Sequence, residues 1–395
     1  MTPRLLSLLL LAAPLAAQQS GADSTVTDTL APGIVHTYVV RAAGPLRAHI
    51  VRVDWRGGAF QVRSVRALDS LRGREKVTDM VRRATAAGRD VRVAINADFF
   101  DLKTGESINN QVSGGEIWKA LAMSGTPGGA VKTARGQFGL TRAGRPVIDR
   151  FVFTGNLRAG RLGWALDGVN AVPSNGQGLV LWLPAANGRS RDDSVHDARQ
   201  LRVKVTRASW RDSLVLVPVG GVTAADTTPL PAGEGALVAY GATAARLDSI
   251  AKSRRSLSAH ASWMPTVGVI DELIGGWPVI LRDDVPTVVE SATRELTYKS
   301  NADVRHPRSL VGFDADTSHL FFVAVDGRTA QSVGVTLAEA AELLRAFGIV
   351  HALNLDGGGS TTLFAGGRIL NAPSDKEGER SVANAIFIEA VGRKR

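Results

Sequence analysis

Two apolar runs in the last third of the chain constrain the fold more than any other feature. Residues 320–325 and 349–355 are strongly apolar, which is typical of strands buried on both faces of a sheet. Each run ends at an aspartate followed by glycine, at Asp326 and at Asp356. The pattern predicts two buried strands whose ends carry carboxylates.

The segment between these runs has the features of one helix. Thr336 and Glu339 have the spacing of a capping box, and Gly348 is placed to end the helix. Strand, helix and strand at this spacing predict a crossover unit. If the two strands are parallel in one sheet, Asp326 and Asp356 lie at the same edge, where ligands bind in open α/β sheets.

The remaining patterns predict an α+β fold. Residues 18–147 and 264–395 are expected to form a mixed β-sheet with flanking helices, as the two parts of one catalytic domain. Residues 148–263 contain short strand-like runs separated by Gly, Pro and Asn, together with one helical stretch at residues 244–252. This pattern of short strands and turn residues predicts a β-rich insertion packed against the sheet.

Composition excludes several classes of site. The chain has no cysteine, which rules out disulfide scaffolds, thiol nucleophiles and zinc–thiolate centres. The formal net charge is +10, but arginines are spread along the whole chain, so no nucleic-acid partner is expected. A compositional bias toward arginine and a general attraction to acidic polymers or phosphates both remain open. The histidines form no metal-binding motif, and neither a metal nor a cofactor is predicted.

The N-terminus has the features of a targeting segment. Arg4 precedes a short apolar run at residues 5–17, and small residues follow toward Gln18. We expect a signal peptide over residues 1–17 and a secreted or periplasmic protein. The run is shorter than the roughly 20 residues that span a bilayer, so no stable membrane insertion is expected after its removal. A retained N-terminal anchor is the alternative.

The glycine turn after the second apolar run can present amides and hydroxyls to an anion. Asp356 is followed by three glycines and then by Ser360 and Thr361, without the lysine of a Walker loop. Asp326 and Asp356 together would supply the two carboxylates that glycosidic hydrolysis ordinarily uses. A pair of plain tight turns is the alternative.

Two other groups of polar residues are candidates for binding. Guanidinium groups suit phosphate through paired hydrogen bonds, although surface arginines are common in this chain; the candidates are Arg305, Arg308, Arg328 and Arg380. A polar loop after the strand at residues 91–95 contains Asn96, Asp98, Glu106, Asn109 and Asn110. Ordinary turn chemistry is the alternative for that loop.

Several motifs in order resemble the phosphodiester glycosidase family, which is related to N-acetylglucosamine-1-phosphodiester α-N-acetylglucosaminidase, the uncovering enzyme. They occupy residues 96–100, 104–106, 110–116, 137–139, 275–278, 306–312, 325–328, 352–362, 373–375 and 380–385. The longest is Ala-Leu-Asn-Leu-Asp-Gly-Gly-Gly-Ser-Thr-Thr at residues 352–362. The first motif departs from the family, because Ala97 and Asp98 stand where the family usually has glycines.

This resemblance implies an exported hydrolase that cleaves the glycosidic bond of sugar-1-phosphodiesters and releases a free sugar and a phosphomonoester. It implies catalytic roles for Asp356, Asp326 and Glu106. It implies that substrate is bound by Asn96, Asp98, Asn110, Arg308, Arg328, Asn354, Gly357, Gly358, Ser360, Thr361 and Asn384. The expected partner is a sugar-phosphate diester or an anionic glycan. A non-catalytic envelope protein that binds anionic glycans, and a hydrolase of another cell-wall bond, remain open.

Overall fold

The computed structural model describes residues 23–121, 135–173, 176–186, 198–207 and 209–392, so the predicted signal peptide at residues 1–17 lies outside the described residues. The strands of the described residues are β1 (Ser24–Ala31), β2 (Ile34–Arg41), β3 (Leu46–Asp54), β4 (Phe60–Arg66), β5 (Val91–Asn96), β6 (Gln111–Ser113), β7 (Glu116–Leu121), β8 (Gln137–Thr141), β9 (Pro146–Asp149), β10 (Val152–Ala159), β11 (Leu162–Leu166), β12 (Gly168–Val169), β13 (Gly178–Trp182), β14 (Arg199–Arg207), β15 (Leu214–Ala224), β16 (Glu234–Tyr240), β17 (Leu257–Met264), β18 (Ile270–Gly275), β19 (Val279–Arg282), β20 (Val285–Pro286), β21 (Arg308–Phe313), β22 (His319–Val325), β23 (His351–Asn354), β24 (Leu363–Ala365), β25 (Arg368–Ile369) and β26 (Asn384–Ala390).

Helices are few and short. The α-helices of the described residues are α1 (Val77–Ala86), α2 (Ala244–Ser253), α3 (Val288–Arg294), α4 (Lys299–Ala302) and α5 (Leu337–Arg345). Single 3₁₀ turns occupy Ala67–Asp69, Pro184–Ala186, Gly241–Thr243 and Gly358–Ser360. Within the described residues, no helix has the length and apolar character needed to cross a membrane.

The predicted helix between the two apolar strands is α5. Thr336 accepts a hydrogen bond from the Glu339 amide, and the Glu339 carboxylate accepts one from the Thr336 amide, which completes the predicted capping box. Gly348 has φ 74°, a conformation that glycine adopts without strain just after a helix. The apolar face, with Leu337, Ala341 and Leu344, is buried against one face of a sheet.

That sheet has eight strands in the order β1-β2-β3-β22-β21-β23-β19-β20, and every neighbouring pair is antiparallel. The prediction of a mixed sheet here was wrong, because β21 forms a hairpin with β22 and lies between β22 and β23. Since both are antiparallel to β21, β22 and β23 still run in the same direction. Asp326 and Asp356 therefore follow strand ends at the same edge of this sheet.

A second sheet of five strands, in the order β25-β24-β5-β26-β4, is also antiparallel throughout. An apolar core that includes Val51 and Phe322 from the first sheet and Ile95 and Ile386 from the second holds the two together. Helix α1 covers the other face of the five-stranded sheet through Met80 and neighbouring residues. The catalytic-domain segments thus form a sandwich of two sheets between two helices.

The segment predicted as a β-rich insertion contributes most of a third sheet. Its strands β10–β17 join β6, β7, β8, β9 and β18 in one sheet of thirteen strands, with α2 packed on it through Leu247 and Ile250. Among the described strands, β12 and β13 are the one parallel pair. The protein is mostly β structure in several sheets, as a member of the α+β class.

Candidate active site

Asn96, at the end of β5, fixes the position of the loop that carries Asp356. Its side-chain amide donates to the Asp356 carbonyl at 2.6 Å, and its Oδ1 accepts from Ser309 Oγ at 2.7 Å and from the Thr362 amide at 3.0 Å. The Asp356 amide donates to the Ala97 carbonyl at 2.8 Å. Because both polar atoms of its side chain have partners within the protein, Asn96 positions the loop and does not fit its predicted role in substrate binding.

The glycines after Asp356 allow groups to approach that a side chain would exclude. A Cβ atom at Gly357 would lie 2.6 Å from the Pro307 carbonyl oxygen. Gly358 has φ +61°, and a Cβ there would lie 2.8 Å from Arg328 Nη2. A Cβ at Gly359 would overlap the guanidinium of Arg380. The predicted glycine turn therefore packs directly against two guanidinium groups.

Asp356 is a titratable carboxyl near neutral pH. Burial raises the pKa of Asp356 to about 7, and the negative charge of Asp98 adds to this effect. The Ser360 hydroxyl and the Arg380 guanidinium act in the opposite direction, because both favour the ionised form. As a whole residue Asp356 is half-buried, whereas Asp98 is buried.

Asp98 is the carboxyl that interacts electrostatically with Asp356. Burial raises the pKa of Asp98 to about 6, although the Asn109 amide donates to Oδ2 at 2.8 Å and Asn109 Nδ2 donates to Oδ1 at 2.7 Å. The Asp98 amide donates to Asn384 Oδ1 at 2.9 Å. With 2% exposure and both oxygens engaged, Asp98 is held in place and does not fit its predicted role of contacting substrate. Asn109 was among the polar residues of the candidate loop, but no specific role was predicted for it.

Asp326 lies at the same sheet edge as Asp356 but one strand further along, and its catalytic role stays a prediction. Its Oδ1 accepts from the Ala372 amide at 2.8 Å, and Oδ2 lies 3.9 Å from His49 Nε2. Burial raises the pKa of Asp326 to about 6 and lowers that of His49 to about 4, so the histidine is uncharged at neutral pH. Because β21 separates β22 from β23, the two strands are about 10 Å apart, at about 4.8 Å per neighbouring pair.

Arg308 and Arg328 differ in whether their guanidinium groups are accessible to a ligand. Arg308 is 1% exposed and donates to the Val335 carbonyl, to Asn301 Oδ1 and to the Val304 carbonyl, so it buttresses the fold and does not fit the predicted role of holding phosphate. Arg328 is exposed, and it forms no hydrogen bond or ion pair with the part of the chain that the structure describes.

Arg380 was one of the four arginines grouped from the sequence as phosphate candidates, but it was not given a specific role. Its Nε donates to Asp375 Oδ2 at 2.6 Å while its guanidinium lies against Gly359 and acts on Asp356. The indication in the sequence was its position at the start of the last family motif, at residues 380–385.

Two further predicted residues have structural partners. Glu106 forms an ion pair with Lys119 at 2.8 Å and lies 3.6 Å from Arg72. Its carboxylate is therefore not the second carboxylate of a pair with Asp356. Asn110 donates to the Phe151 carbonyl at 3.0 Å and accepts from the Leu121 amide at 2.9 Å, so both polar atoms of its side chain bind the protein's own backbone. The predicted catalytic role of Glu106 and the predicted binding role of Asn110 do not fit these positions.

The edge around Asp356 also holds buried polar atoms without a hydrogen-bond partner among the described residues. These atoms are Asn354 Oδ1, Thr361 Oγ1, Thr362 Oγ1 and Asn384 Nδ2. Buried polar groups are usually satisfied, so this set implies bound water or a polar ligand. The remaining candidates Asn354, Thr361 and Asn384 are therefore brought together by the structure.

A cleft of about 760 Å³ adjoins this edge, a volume typical of ligand pockets. Arg380 and Asp375 line it together with Arg74, Lys76 and Lys103. The residues that line the cleft do not include Asp356, so Arg380 is the link between the cleft and the carboxyl. Within the described residues, no group of three or more His, Asp or Glu side chains has the arrangement of a metal site.

Residues 212–389 match the profile of the family described as phosphodiester glycosidase. The resemblance to phosphodiester glycosidases is confirmed. The match includes Asp326, Asp356 and Arg380 but not Asn96 or Asp98. The phosphodiester glycosidase N-acetylglucosamine-1-phosphodiester alpha-N-acetylglucosaminidase of Mus musculus is 40% identical over 79 residues, which are 20% of this chain and 15% of the mouse protein. The chain aligns with only 15–20% of the length of the curated relatives it matches.

Two solved structures share the fold at low sequence identity. A hypothetical protein from Synechocystis is 21% identical with a TM-score of 0.71, over 94% of this chain and 64% of that one. A putative exported protein from Burkholderia pseudomallei K96243 is 20% identical with a TM-score of 0.64, over 87% of this chain and 74% of that one. These two structures therefore also share the fold of the part of the chain that lies outside residues 212–389.

Proposed function

We propose that this protein is an exported hydrolase that cleaves the glycosidic bond of sugar-1-phosphodiesters and releases a free sugar and a phosphomonoester. One observation carries the proposal: a carboxyl with a pKa near 7, on Asp356, lies in a glycine loop against which Arg328 and Arg380 pack. Family similarity supports the reaction class. The leader-like residues 1–17 and the likeness to a putative exported protein support export.

The chemistry follows from the nature of the leaving group. When the bond between the anomeric carbon and the phosphoryl oxygen breaks, its electron pair stays with oxygen, and the departing phosphomonoester needs little protonation. Arg328 and Arg380 stabilise the added negative charge through guanidinium hydrogen bonds. The ionised Asp356 carboxylate either takes a proton from the attacking water or attacks the anomeric carbon itself.

The surrounding residues hold this carboxylate in place. Asn96 binds the Asp356 carbonyl, and burial together with the negative charge of Asp98 keeps the pKa of Asp356 raised. Both are positioning residues, because their side-chain polar atoms are engaged by other groups of the protein. The polar atoms of Asn354, Thr361 and Asn384 without partners among the described residues are proposed to contact the sugar.

The direct test is product analysis with purified protein. UDP-N-acetylglucosamine and other sugar-1-phosphodiesters are incubated with the wild type, with Asp356→Asn and with Asp316→Asn as a control at an exposed aspartate. We expect the wild type and the control to release reducing sugar together with UDP from UDP-N-acetylglucosamine, or with a phosphomonoester from the other sugar-1-phosphodiesters. We expect a loss of about 1,000-fold or more in Asp356→Asn. Wild-type turnover in Asp356→Asn contradicts the assignment of the catalytic carboxyl.

Two other outcomes point to the alternatives left by the sequence. Tight binding of an anionic glycan without turnover, by protein shown to be folded, favours a non-catalytic envelope protein. Turnover of a cell-wall polymer without release of a sugar from a phosphodiester favours a hydrolase of another bond.

A further inference from the structure

The segment that follows β25, residues 370–380, is fixed to the chain just after the glycine loop of the candidate active site. Asn371 Nδ2 donates to the Thr361 carbonyl at 2.9 Å, and its Oδ1 accepts from the Leu363 amide at 2.7 Å. The next amide of the segment donates to Asp326 Oδ1 at 2.8 Å. The start of the segment therefore has a defined position relative to the glycine loop.

The far end of this segment turns back on itself at Asp375. The Asp375 carbonyl accepts from the Gly378 amide at 3.0 Å, and Gly378 has φ 84°, which glycine adopts without strain. In the Asp375 side chain, Oδ1 accepts from the Lys376 amide at 3.0 Å and Oδ2 accepts from Arg380 Nε at 2.6 Å. The carboxylate of Asp375 therefore connects a fixed segment to the guanidinium of Arg380.

This contact uses one end of the Arg380 guanidinium and leaves the other end available. Among the described residues, Nη1 and Nη2 of Arg380 donate to no other group, and the side chain is 34% exposed. The guanidinium lies against Gly359, where a Cβ atom would overlap it. Paired guanidinium donors have the spacing of two oxygens of one phosphoryl group. The outer pair of donors is therefore the one left for a phosphodiester.

Asp375 also acts on the second arginine at the glycine loop. The hydrogen bond from Arg380 lowers the pKa of Asp375, and the positive charge of Arg328 adds to this effect. The carboxylate is therefore ionised at neutral pH. An ionised acceptor makes the stronger, charge-assisted hydrogen bond with a guanidinium, so the contact restricts the rotamers of a long and partly exposed side chain.

We propose that Asp375 is a positioning residue that holds Arg380 in the orientation in which it binds the phosphodiester group. This inference rests on the function proposed above, which supplies the phosphodiester. Without Asp375, the Arg380 side chain would lose its rotamer freedom only when substrate binds, whereas with Asp375 that freedom is already lost in the folded protein. Both carboxylate oxygens of Asp375 accept from the protein, so Asp375 acts through Arg380.

A double-mutant cycle tests this dependence on Arg380. kcat/KM for UDP-N-acetylglucosamine is measured for the wild type, Asp375→Asn, Arg380→Gln and the double variant, and urea denaturation shows whether each is folded. We expect Asp375→Asn to lower kcat/KM by about 10-fold in the wild type but by less than about twofold in Arg380→Gln. Asp375→Glu keeps the carboxylate and should recover most of the loss.

The matched control is Asp284→Asn. Asp284 is an exposed aspartate that accepts from Arg345 Nε at 2.9 Å, so the control breaks the same kind of contact on another surface and should leave kcat/KM unchanged.

Two kinetic results overturn the proposal. One is wild-type kcat/KM in folded Asp375→Asn. The other is an equal loss from Asp375→Asn in the wild type and in Arg380→Gln, which would show an effect that does not pass through Arg380. If Asp375→Asn does not fold, Asp375→Gln takes its place in the cycle.

Binding separates the role of Asp375 from the proposed hydrolysis. If the wild type shows no turnover, the same four proteins are titrated with UDP-N-acetylglucosamine by calorimetry, and the affinities should follow the pattern expected for kcat/KM. That pattern without turnover supports the role of Asp375 and contradicts the hydrolysis. Turnover with equal losses in the two backgrounds contradicts only the role of Asp375. A wild type that neither binds nor cleaves any sugar-1-phosphodiester contradicts both.

Discussion

Two carboxyls near the glycine loop have different tasks because their surroundings differ. Asp356 is half-buried as a whole residue and lies beside Arg380, whereas Asp98 is buried and accepts two hydrogen bonds from Asn109. Burial raises the pKa of both. Because like charges in close proximity disfavour ionisation, each carboxyl also makes the other harder to ionise. Only Asp356 is placed to act on a ligand.

The pH dependence of hydrolysis tests this division. Since the ionised form of Asp356 is the active one and its pKa is about 7, kcat/KM should rise about tenfold per pH unit below pH 7 and level off above it. Asp98→Asn removes a negative charge, so the rising limb should move to lower pH. Steady-state kinetics between pH 5 and 9 measure both; an unmoved limb in Asp98→Asn contradicts the coupling.

The two arginines against the glycine loop should matter for the phosphodiester group. We expect Arg328→Gln and Arg380→Gln each to lower kcat/KM by about 10- to 100-fold, because each loses charge-assisted hydrogen bonds to the phosphate. Arg305→Gln is the matched control, since Arg305 is exposed and pairs with Glu339 on α5. Kinetics with UDP-N-acetylglucosamine provide the measurement. Losses in Arg305→Gln as large as those in the other two variants would point to a general charge effect.

Local patterns were predicted well at the level of single elements. The capping box at Thr336 and the end at Gly348 depend on residues a few positions apart, so sequence alone identifies α5. The position of β21 between β22 and β23 depends on pairing over long separations. The hydrophobic periodicity of a segment does not indicate which distant strands pair with each other. For that reason the prediction of a mixed sheet was wrong.

Asn96 joins three elements, so its removal should affect both stability and activity. Asn96→Ala leaves the Asp356 carbonyl, Ser309 Oγ and the Thr362 amide without a partner, which should lower the free energy of unfolding by about 2–4 kcal/mol. It should also lower kcat far more than it changes KM, because the Asp356 loop loses its position. Urea denaturation and kinetics measure the two effects.

The control for this variant is Thr336→Ala, which removes the capping box of α5 away from the site. We expect it to cost about 1 kcal/mol of stability and to leave kcat unchanged. An equal loss of kcat in both variants would mean that activity follows stability rather than the position of the loop.

The whole molecule places its site where the edges of two sheets meet. Asp356 follows a strand of the eight-stranded sheet, while Asn96 and Asn384 stand at ends of strands in the five-stranded sheet. The sequence indicated which residues lie at strand ends, but not which of them face a ligand. Arg308 illustrates the limit, because only the packing around it shows that its donors bind backbone carbonyls.

The burial of three aspartates should make the stability of the folded protein depend on pH. Burial raises the pKa of Asp98 and Asp326 to about 6 and that of Asp356 to about 7, above the value of about 4 for an unfolded aspartate. Between pH 4 and 7 the folded protein therefore binds more protons than the unfolded chain, and the free energy of unfolding falls as pH rises. Glu339, whose pKa is lowered to about 2 chiefly by its hydrogen bonds with Arg305, acts in the opposite sense mainly below pH 4.5.

We expect the wild type to be more stable at pH 5 than at pH 8, and Asp356→Asn to be more stable than the wild type at pH 8 by about 1–3 kcal/mol. The gain should shrink toward pH 5, since the wild-type carboxyl is then protonated and its neutral form resembles the amide. Urea denaturation at the two pH values measures this difference, with Asp316→Asn as the control at an exposed aspartate. A pH slope in Asp356→Asn equal to that of the wild type contradicts the raised pKa, because an ionisable group that no longer exists cannot contribute to the slope.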